Sequence, residues 1–303
     1  MSDSTIRGRM EGKPKIAVVV GDLEHPRLLK MFCGLGDLMQ FAIFTYNNSR
    51  VVNYHDTGLQ LVLYDAIPDM PGYMRNLETD LKEYDAVITF ETTRLTSFQA
   101  SRAAKQHGLP LLVMTLEYNQ DIYRDYPNIQ AIQFDLMRNA DSFLALSKRS
   151  ERLLRGYGVE EDALFRLTPA VDTHKFSVDL AARQKFRNYI GIGANDIVIL
   201  VQEDLEGYAH PEVCLQMLRH LKRDGYSEYS KIKVLFAGKG SAAQQEKYRA
   251  YDYGVAGQTL FLHQDINPFA KDLYCASDIV LKPQTNPTEF HESYPLPFLE
   301  AVA

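Results

Sequence analysis

Two glutamates near the end of the chain have the side chains and the spacing to hold a sugar. Glu292 and Glu300 are separated by seven residues with a Pro-rich turn between them, and they follow an apolar run at residues 278–281. Pro297 can open a helix, because its ring presets φ and its missing N–H is not needed in the first turn. A carboxylate accepts two hydrogen bonds from a vicinal diol, so each Glu could hold a ribose or a sugar ring. The alternative is that Glu300 only complements the helix dipole and Glu292 is solvated.

The composition is that of a globular chain with one large or two medium domains, since it has 303 residues, 46% of them hydrophobic and 24% charged. The net charge of −6 argues against nucleic acid as a partner and favours small molecules. The three cysteines show no spacing for zinc or disulfide pairs, which fits a reducing cytoplasm. The longest early apolar run, residues 16–20, is too short for a signal core or a membrane span. We therefore expect a cytoplasmic location.

Apolar runs alternate with helix-like stretches along most of the chain, which predicts an α/β fold with parallel sheets. A predicted helix at residues 96–107 stops at Gly108, and Ser147 can cap a further helix that ends near Gly156. The predicted strands of the first half are residues 16–20, 41–46, 59–64, 86–90, 111–116 and 143–146.

The same alternation restarts after residue 171, which predicts a second domain. Its predicted strands are residues 197–201, 233–237, 259–263 and 278–281, and its predicted helices are residues 180–189, 211–223, 242–253 and 268–276. We therefore expect two Rossmann-like, doubly wound domains, residues 1–171 and 172–303, that face a cleft.

Several segments resemble, in order and spacing, the retaining glycosyltransferases with the two-domain GT-B architecture (group 1, family 4 type). The pair Glu292 and Glu300, followed by Ala-Val-Ala, is similar to the paired-glutamate motif of that family. The resemblance is specific from about residue 141 to the end. It also covers residues 141–147 (Asp-Ser-Phe-Leu-Ala-Leu-Ser), 167–176 (Leu-Thr-Pro-Ala-Val-Asp-Thr-His-Lys-Phe), 236–240 (Phe-Ala-Gly-Lys-Gly), 260–263 (Leu-Phe-Leu-His) and 273–283.

The resemblance implies that the second domain holds a nucleotide-sugar donor and the first domain holds a glycan or lipid-linked acceptor. Glu300 would bind the ribose of the nucleotide, and Glu292 the hydroxyls of the donor sugar. Such an enzyme would transfer the sugar with retention and need no cofactor. No metal is implied either, because the chain contains no Asp-x-Asp triplet and no His at zinc spacing. The chain around Ser293, Tyr294, Pro295 and Leu296 would approach the sugar or diphosphate, that around Leu262 and His263 would flank the base, and Gly238 would allow a close approach.

Two features depart from the family pattern. Members usually carry an Arg and a Lys after the strand that corresponds to residues 197–201, whereas residues 202–210 here contain three carboxylates. Each missing cation could weaken diphosphate binding by roughly tenfold to a hundredfold. The chain also ends inside the helix of the glutamate motif, so we expect an incomplete second domain. A glycosyltransferase-like binding or scaffolding protein is therefore the alternative function. The cations that could substitute are Lys239, Lys282, His263 and His291, each of which could equally be solvated surface.

The first domain offers fewer candidates. Gly21 ends the first predicted strand and could open a loop toward an acceptor, although a simple turn is the plainer interpretation. Glu91 and Glu117 each follow a predicted strand at the same edge of the sheet. Many relatives have a His at the position of Glu117. The carboxylate of Glu117 could accept the proton of an acceptor hydroxyl if the pKa of Glu117 is raised. An ordinary polar loop residue is the alternative.

Two weaker patterns suggest other ligands. Gly238-Lys239-Gly240-Ser-Ala-Ala satisfies a loose dinucleotide motif, but it lies in the middle of its domain and leaves the glutamate pair unexplained. Four basic residues of one predicted helix could make weak contact with anionic lipid headgroups, although such a face is more often solvated. They are Lys148, Arg149, Arg152 and Arg155.

Overall fold

The computed structural model describes residues 12–21, 29–47, 59–117, 125–168, 170–202, 210–238, 242–262, 269–283 and 296–303. The chain divides into two compact units, and the boundary lies between Ala170 and Val171. Each unit contains one parallel sheet, which confirms the predicted α/β class with two Rossmann-like units.

The first unit contains a seven-stranded sheet in the order β3-β2-β1-β4-β5-β6-β7, and all of its strand pairs are parallel. Both faces of the sheet are covered. Ala17 and Val19 of β1 pack into one apolar cluster, and Val18 and Val20 pack into the cluster on the opposite face. Strands buried on both faces read as continuous apolar runs, which is why the sequence predicted them. The strands are β1 Lys15–Gly21, β2 Gln40–Tyr46, β3 Gln60–Tyr64, β4 Ala86–Phe90, β5 Leu111–Thr115, β6 Ser142–Ala145 and β7 Leu164–Arg166.

Local signals set the ends of the helices in this unit. The helix that was predicted from residue 96 ends at Gly108, whose φ of +65° suits a residue without a side chain. Ser147 caps a later helix, because its hydroxyl accepts a hydrogen bond from the N–H of Ser150 at 3.0 Å. The helices are α1 Lys30–Cys33, α2 Leu77–Asp80, α3 Leu95–His107, α4 Pro127–Asn139 and α5 Lys148–Gly156.

The second unit contains a four-stranded parallel sheet in the order β10-β9-β8-β11. In β8, Ile199 and Val201 face one apolar cluster, whereas Val198 and Leu200 face the other. The strands are β8 Ile197–Gln202, β9 Ile232–Ala237, β10 Thr259–Leu262 and β11 Ile279–Val280, and the helices are α6 Leu180–Tyr189, α7 Pro211–Arg223, α8 Ala242–Asp252, α9 Ala270–Ala276 and α10 Leu296–Val302.

A buried arginine ties the amino-terminal ends of β8 and β11 together. Arg187 is 1% exposed and donates to four backbone carbonyls, including that of Ala276 at 2.8 Å. Its guanidinium also pairs with Asp278 at 2.7 Å. The carboxylate of Asp278 in turn accepts the N–H of Val198 at 2.7 Å. The charge is therefore buried with its hydrogen bonds satisfied, which is the condition under which burial is tolerated.

The predicted elements agree closely with the structure at their centres and differ by a few residues at their ends. Residues 180–189 and 211–223 form helices with the predicted bounds, whereas the strand predicted at 278–281 is reduced to Ile279–Val280. Pro297 lies in the first turn of α10, as predicted for a helix opener. No helix in the described segments is long and apolar enough to cross a membrane.

Candidate functional site

Three of the predicted donor-binding residues lie at the carboxyl edge of the second sheet. Leu262 pairs with Ala237 across β10 and β9, and Gly238 follows directly, its N–H donating to the carbonyl of Leu262 at 3.1 Å. Gly238 has a φ of +156°, which residues with side chains rarely adopt. Lys282 lies two residues beyond Val280, which pairs with Leu200 of the central strand. The parallel register thus brings Gly238, Leu262 and Lys282 to the edge where ligands of open α/β sheets bind.

Glu300 is buried and hydrogen-bonded. Its side chain lies in α10 with the residue only 5% exposed, and it accepts the phenolic O–H of Tyr274 at 3.0 Å. Tyr274 packs against the apolar cluster that contains Leu200 and Leu235, so the pair lies on that face of the sheet. The side chain therefore has the surroundings of a buried hydroxyl acceptor.

Glu300 and Tyr274 line a pocket of about 350 Å³ within the second unit. Two cations also line this pocket, but each is paired with a carboxylate. Arg183 binds Asp278 at 2.5 Å and two backbone carbonyls at 2.9 and 3.0 Å. Lys271 lies 3.6 Å from Asp179, which caps α6 by accepting the N–H of Ala182 at 2.9 Å. Arg183 therefore ties α6 to the segment before β11, and Asp179 offsets the charge of Lys271.

The remaining predicted donor residues cannot be placed, because they lie outside the described residues. These are Lys239, His263, His291, Glu292, Ser293, Tyr294 and Pro295. Leu296 is the first residue of α10. Of the loose dinucleotide pattern, Gly238, Ala242 and Ala243 fall in the described chain, whereas Lys239, Gly240 and Ser241 do not. Among the described residues, no three His, Cys, Asp or Glu side chains are grouped so that they could hold a metal ion.

In the first unit, Glu91 and Glu117 lie together at the ends of the neighbouring strands β4 and β5. Glu91 has a φ of +67°, an uncommon value for a residue with a side chain. Its carboxylate accepts the hydroxyl of Thr115 at 2.7 Å and the backbone N–H groups of Leu116 at 3.2 Å and of Glu117 at 3.3 Å. The carboxylate of Glu91 thus holds the backbone of Leu116 and Glu117 in place.

Glu117 is the more buried carboxylate, at 6% exposed. It accepts the hydroxyls of Thr92 and Thr93 and the backbone N–H of Thr92. Burial, and then the negative charge of Glu91, raise the pKa of Glu117 to about 7, although the threonine hydrogen bonds act in the opposite direction. Burial also raises the pKa of Glu91, against the opposing effects of its bond to Thr115 and of nearby Arg94. A carboxyl with a pKa near 7 can both take up and release a proton at neutral pH.

Gly21 ends β1 beside these residues, because the sheet order places β1, β4 and β5 next to one another. Its φ is +59°, and a Cβ at this position would lie 3.0 Å from the hydroxyl oxygen of Thr96 in α3. Its carbonyl accepts the hydroxyl of Thr45 at 2.7 Å. The close packing of the strand end against α3 requires glycine here.

Sequence reasoning did not identify the hydroxyl groups that hydrogen-bond to Glu117 and to Glu300. The dipeptide Thr92-Thr93 directly after a strand was the available signal for the partners of Glu117. Tyr274 gave none, since it lies 26 residues before Glu300. Of the basic helix face, Arg155 forms ion pairs with Glu151 and Glu161, which gives it a structural role.

Residues 182–303 match the family of glycosyl transferases group 1. This part of the chain is most of the second unit and contains the sheet edge and Glu300. No curated protein matches the chain.

Solved structures with a similar fold include nucleotide-sugar enzymes. The structure of HepE from Anabaena in complex with UDP and glucose has a TM-score of 0.77 at 14% identity, covering 95% of this chain and 78% of that one. A glycosyltransferase from Rickettsia africae has a TM-score of 0.69 at 17% identity, covering 91% and 74%. A UDP-GlcNAc 2-epimerase from Neisseria meningitidis has a TM-score of 0.58 at 15% identity, covering 88% and 76%. At these identities the likeness shows a shared fold, and that fold serves both transferases and epimerases.

Proposed function

We propose that this protein is a glycosyltransferase that moves a sugar from a nucleotide-sugar donor to an acceptor. The observation that carries the proposal lies in the second unit. There, the segment that matches glycosyl transferases group 1 brings Gly238, Leu262 and Lys282 to one edge of the sheet. The second unit would bind the donor, and the first unit the acceptor. The reaction would retain the anomeric configuration and use no metal ion or other cofactor.

In this proposal Glu300 binds the ribose diol of the donor. Its carboxylate already accepts one hydroxyl, that of Tyr274, in a buried setting that strengthens hydrogen bonds to a charged acceptor. Glu292 would accept hydroxyls of the donor sugar. The complexes of HepE with UDP and with UDP-glucose support a nucleotide sugar as the ligand class.

Glu117 is the proposed general base. As the bond between the acceptor oxygen and the anomeric carbon forms and the bond to the diphosphate breaks, the proton of the acceptor hydroxyl would pass to the carboxylate of Glu117. A pKa of about 7 suits this step, because the ionised form is then available at neutral pH and the protonated form is stable. General base catalysis of this kind contributes roughly a hundredfold to ten-thousandfold in rate.

The acceptor in this proposal is a surface glycan or a lipid-linked sugar handled in the cytoplasm. Weak contact with a membrane surface would come from the exposed basic residues Lys148, Arg149 and Arg152 at the start of α5.

A non-catalytic binding or scaffolding protein is the second candidate. It is favoured by the three carboxylates Glu203, Asp204 and Glu206 where relatives carry cations, and by the pairing of Arg183 and Lys271 with carboxylates. Such a protein would bind a nucleotide sugar, or a fragment of one, without breaking it.

Two measurements test the proposal on the 303-residue chain. The first is thermal unfolding with a panel of UDP-, GDP- and ADP-sugars, of which at least one should raise the midpoint because it binds only the folded state. The second is release of free nucleotide from the stabilising donor, which should fall at least about a hundredfold in Glu117→Gln. Binding without any turnover would support the scaffolding protein, and a chain that no nucleotide sugar stabilises would contradict both candidates.

A further inference from the structure

We infer that Gln202 is a specificity residue of the donor site, whose side-chain carbonyl accepts a hydrogen bond from an N–H or O–H group of the nucleotide sugar. The inference rests on the proposed function, and it concerns a residue that stands outside the set predicted from the sequence. It is carried by the position of Gln202 in the second sheet and by the state of its amide.

Gln202 is the last residue of the central strand β8 and lies in register with Ala237. Ala237 is in turn in register with Leu262, so the three residues form one row across the carboxyl edge of the sheet. The alternation along β8 puts Gln202 on the same face as Val198 and Leu200. This is the face against which Tyr274, the hydrogen-bond partner of Glu300, packs. Gln202 is thus the polar last residue on an otherwise apolar face of β8, and it lies at the sheet edge that binds ligands in this class of fold.

The amide of Gln202 is buried without a partner for its carbonyl oxygen. The residue is 8% exposed, and Oε1 makes no hydrogen bond with any group in the described part of the chain. Buried polar atoms are nearly always satisfied, and an unsatisfied acceptor destabilises the fold. Gln99, at 1% exposed, shows the usual arrangement, since its Oε1 accepts the N–H of Met74 and its Nε2 donates to the carbonyl of the same residue, both at 2.9 Å.

The chemistry of the unpaired Oε1 of Gln202 limits which groups of a ligand can bind to it. A neutral carbonyl accepts from hydroxyl and N–H groups but not from phosphate oxygens, which are themselves acceptors. The ribose, the transferred sugar and the base of a nucleotide sugar all offer such donors. A site built to hydrogen-bond a donor group discriminates strongly against ligands that lack it, because the buried acceptor then remains unpaired. Gln202 would therefore select among nucleotide sugars. The charge of the donor diphosphate would have to be neutralised by other residues.

The test compares Gln202→Leu with Gln99→Leu as the matched control, both in the 303-residue chain. Without ligand, Gln202→Leu should raise the unfolding midpoint by about 2 °C, because an apolar group of similar size replaces an unpaired acceptor. The dissociation constant of the stabilising nucleotide sugar should rise about tenfold. Gln99→Leu should differ in both respects: it should lower the midpoint, because it removes a satisfied buried amide, and it should leave the dissociation constant unchanged. Gln202→Met, which keeps the length of the side chain, should repeat the result of Gln202→Leu.

Titration with the free nucleotide and with the nucleotide sugar locates the contact. An equal loss of affinity for both in Gln202→Leu places the hydrogen bond on the nucleoside, and a loss for the nucleotide sugar alone places it on the transferred sugar. A lower midpoint with unchanged affinity would show that Gln202 is structural and would overturn the inference. A wild-type chain that binds none of the nucleotides overturns the proposed function, whereas binding that Gln202→Leu leaves unchanged overturns this inference alone.

Discussion

The substitution Glu91→Gln should lower the pKa of Glu117. The pKa of Glu117 is about 7 against an ordinary value of 4.5, and the two causes are burial and the charge of Glu91. At about 1.36 kcal/mol per pH unit, ionising this buried carboxyl costs about 3 kcal/mol more than in solution. Glutamine keeps an oxygen that accepts the hydroxyl of Thr115 and removes the negative charge. We therefore expect the pKa of Glu117 to fall by about one pH unit, with the part due to burial remaining.

The same carboxyl makes the stability of the protein depend on pH. Because its pKa is higher in the folded state, the folded state holds the proton more tightly than the unfolded state. The free energy of unfolding should therefore fall as the pH rises from about 4.5 to about 7 and level off above that range, with a loss of about 3 kcal/mol from this group. Glu117→Gln should remove this contribution and stabilise the protein at pH 8.

Carbon-13 NMR of protein labelled at the glutamate carboxyl groups measures the pKa without reference to activity. The resonance that Glu117→Gln removes is that of Glu117, and its midpoint is then followed in wild type and in Glu91→Gln. Glu246, whose pKa is also raised by burial, lies in the second unit and serves as the internal control that should not move. A Glu117 midpoint near its ordinary value, or one that Glu91→Gln leaves in place, would refute the coupling described here.

Three further substitutions test the two units. Thr93→Val should raise the pKa of Glu117, because it removes a hydrogen bond that stabilises the ionised form, and the same NMR titration reads the change. Gly21→Ala should destabilise the first unit by about 1–3 kcal/mol, because φ is +59° and the added Cβ meets α3; urea unfolding at pH 7 measures the loss. In the second unit, burial alone would raise the pKa of Asp278, but the N–H and two guanidinium groups that it binds lower it. Its stabilising effect is therefore present above the unfolded value of about 3.9 and is lost as the pH falls through the folded pKa. Asp278→Asn should cost about 3 kcal/mol at pH 7, because it leaves Arg187 buried without its counter-charge, and should make unfolding less sensitive to pH below 4. An Asp278→Asn protein with wild-type stability at pH 7 would contradict this view of the buried pair.

Most strands of the fold could be predicted, because strands covered on both faces read as continuous apolar runs. Two of the elements that the sequence did not indicate have little buried apolar surface. Strand β7 has three residues, of which only Leu164 is buried. Helix α4, Pro127–Asn139, buries only Gln133 and Leu136 and so lacks a clear apolar stripe.

The residues of the candidate site could be predicted from the sequence where their place depends only on their position relative to the end of a strand. Glu91, Gly238 and Lys282 directly follow strands or come within a few residues of a strand end, and the ends of parallel strands meet at one edge of a sheet. The partners of these residues are set by packing between elements that are distant in sequence. The bond from Tyr274 to Glu300 depends on how α9 meets α10, and no local pattern records it.

The central claim is that the second unit binds a nucleotide sugar through Glu300. Isothermal titration of the stabilising nucleotide sugar into wild type, Glu300→Gln and the surface control Glu228→Gln measures this directly. Glutamine keeps an oxygen that can accept from Tyr274, whereas it loses the charge that strengthens a hydrogen bond to a ribose hydroxyl. The dissociation constant should rise about tenfold to a hundredfold in Glu300→Gln and stay at the wild-type value in Glu228→Gln. Equal affinities of all three proteins would contradict the claim.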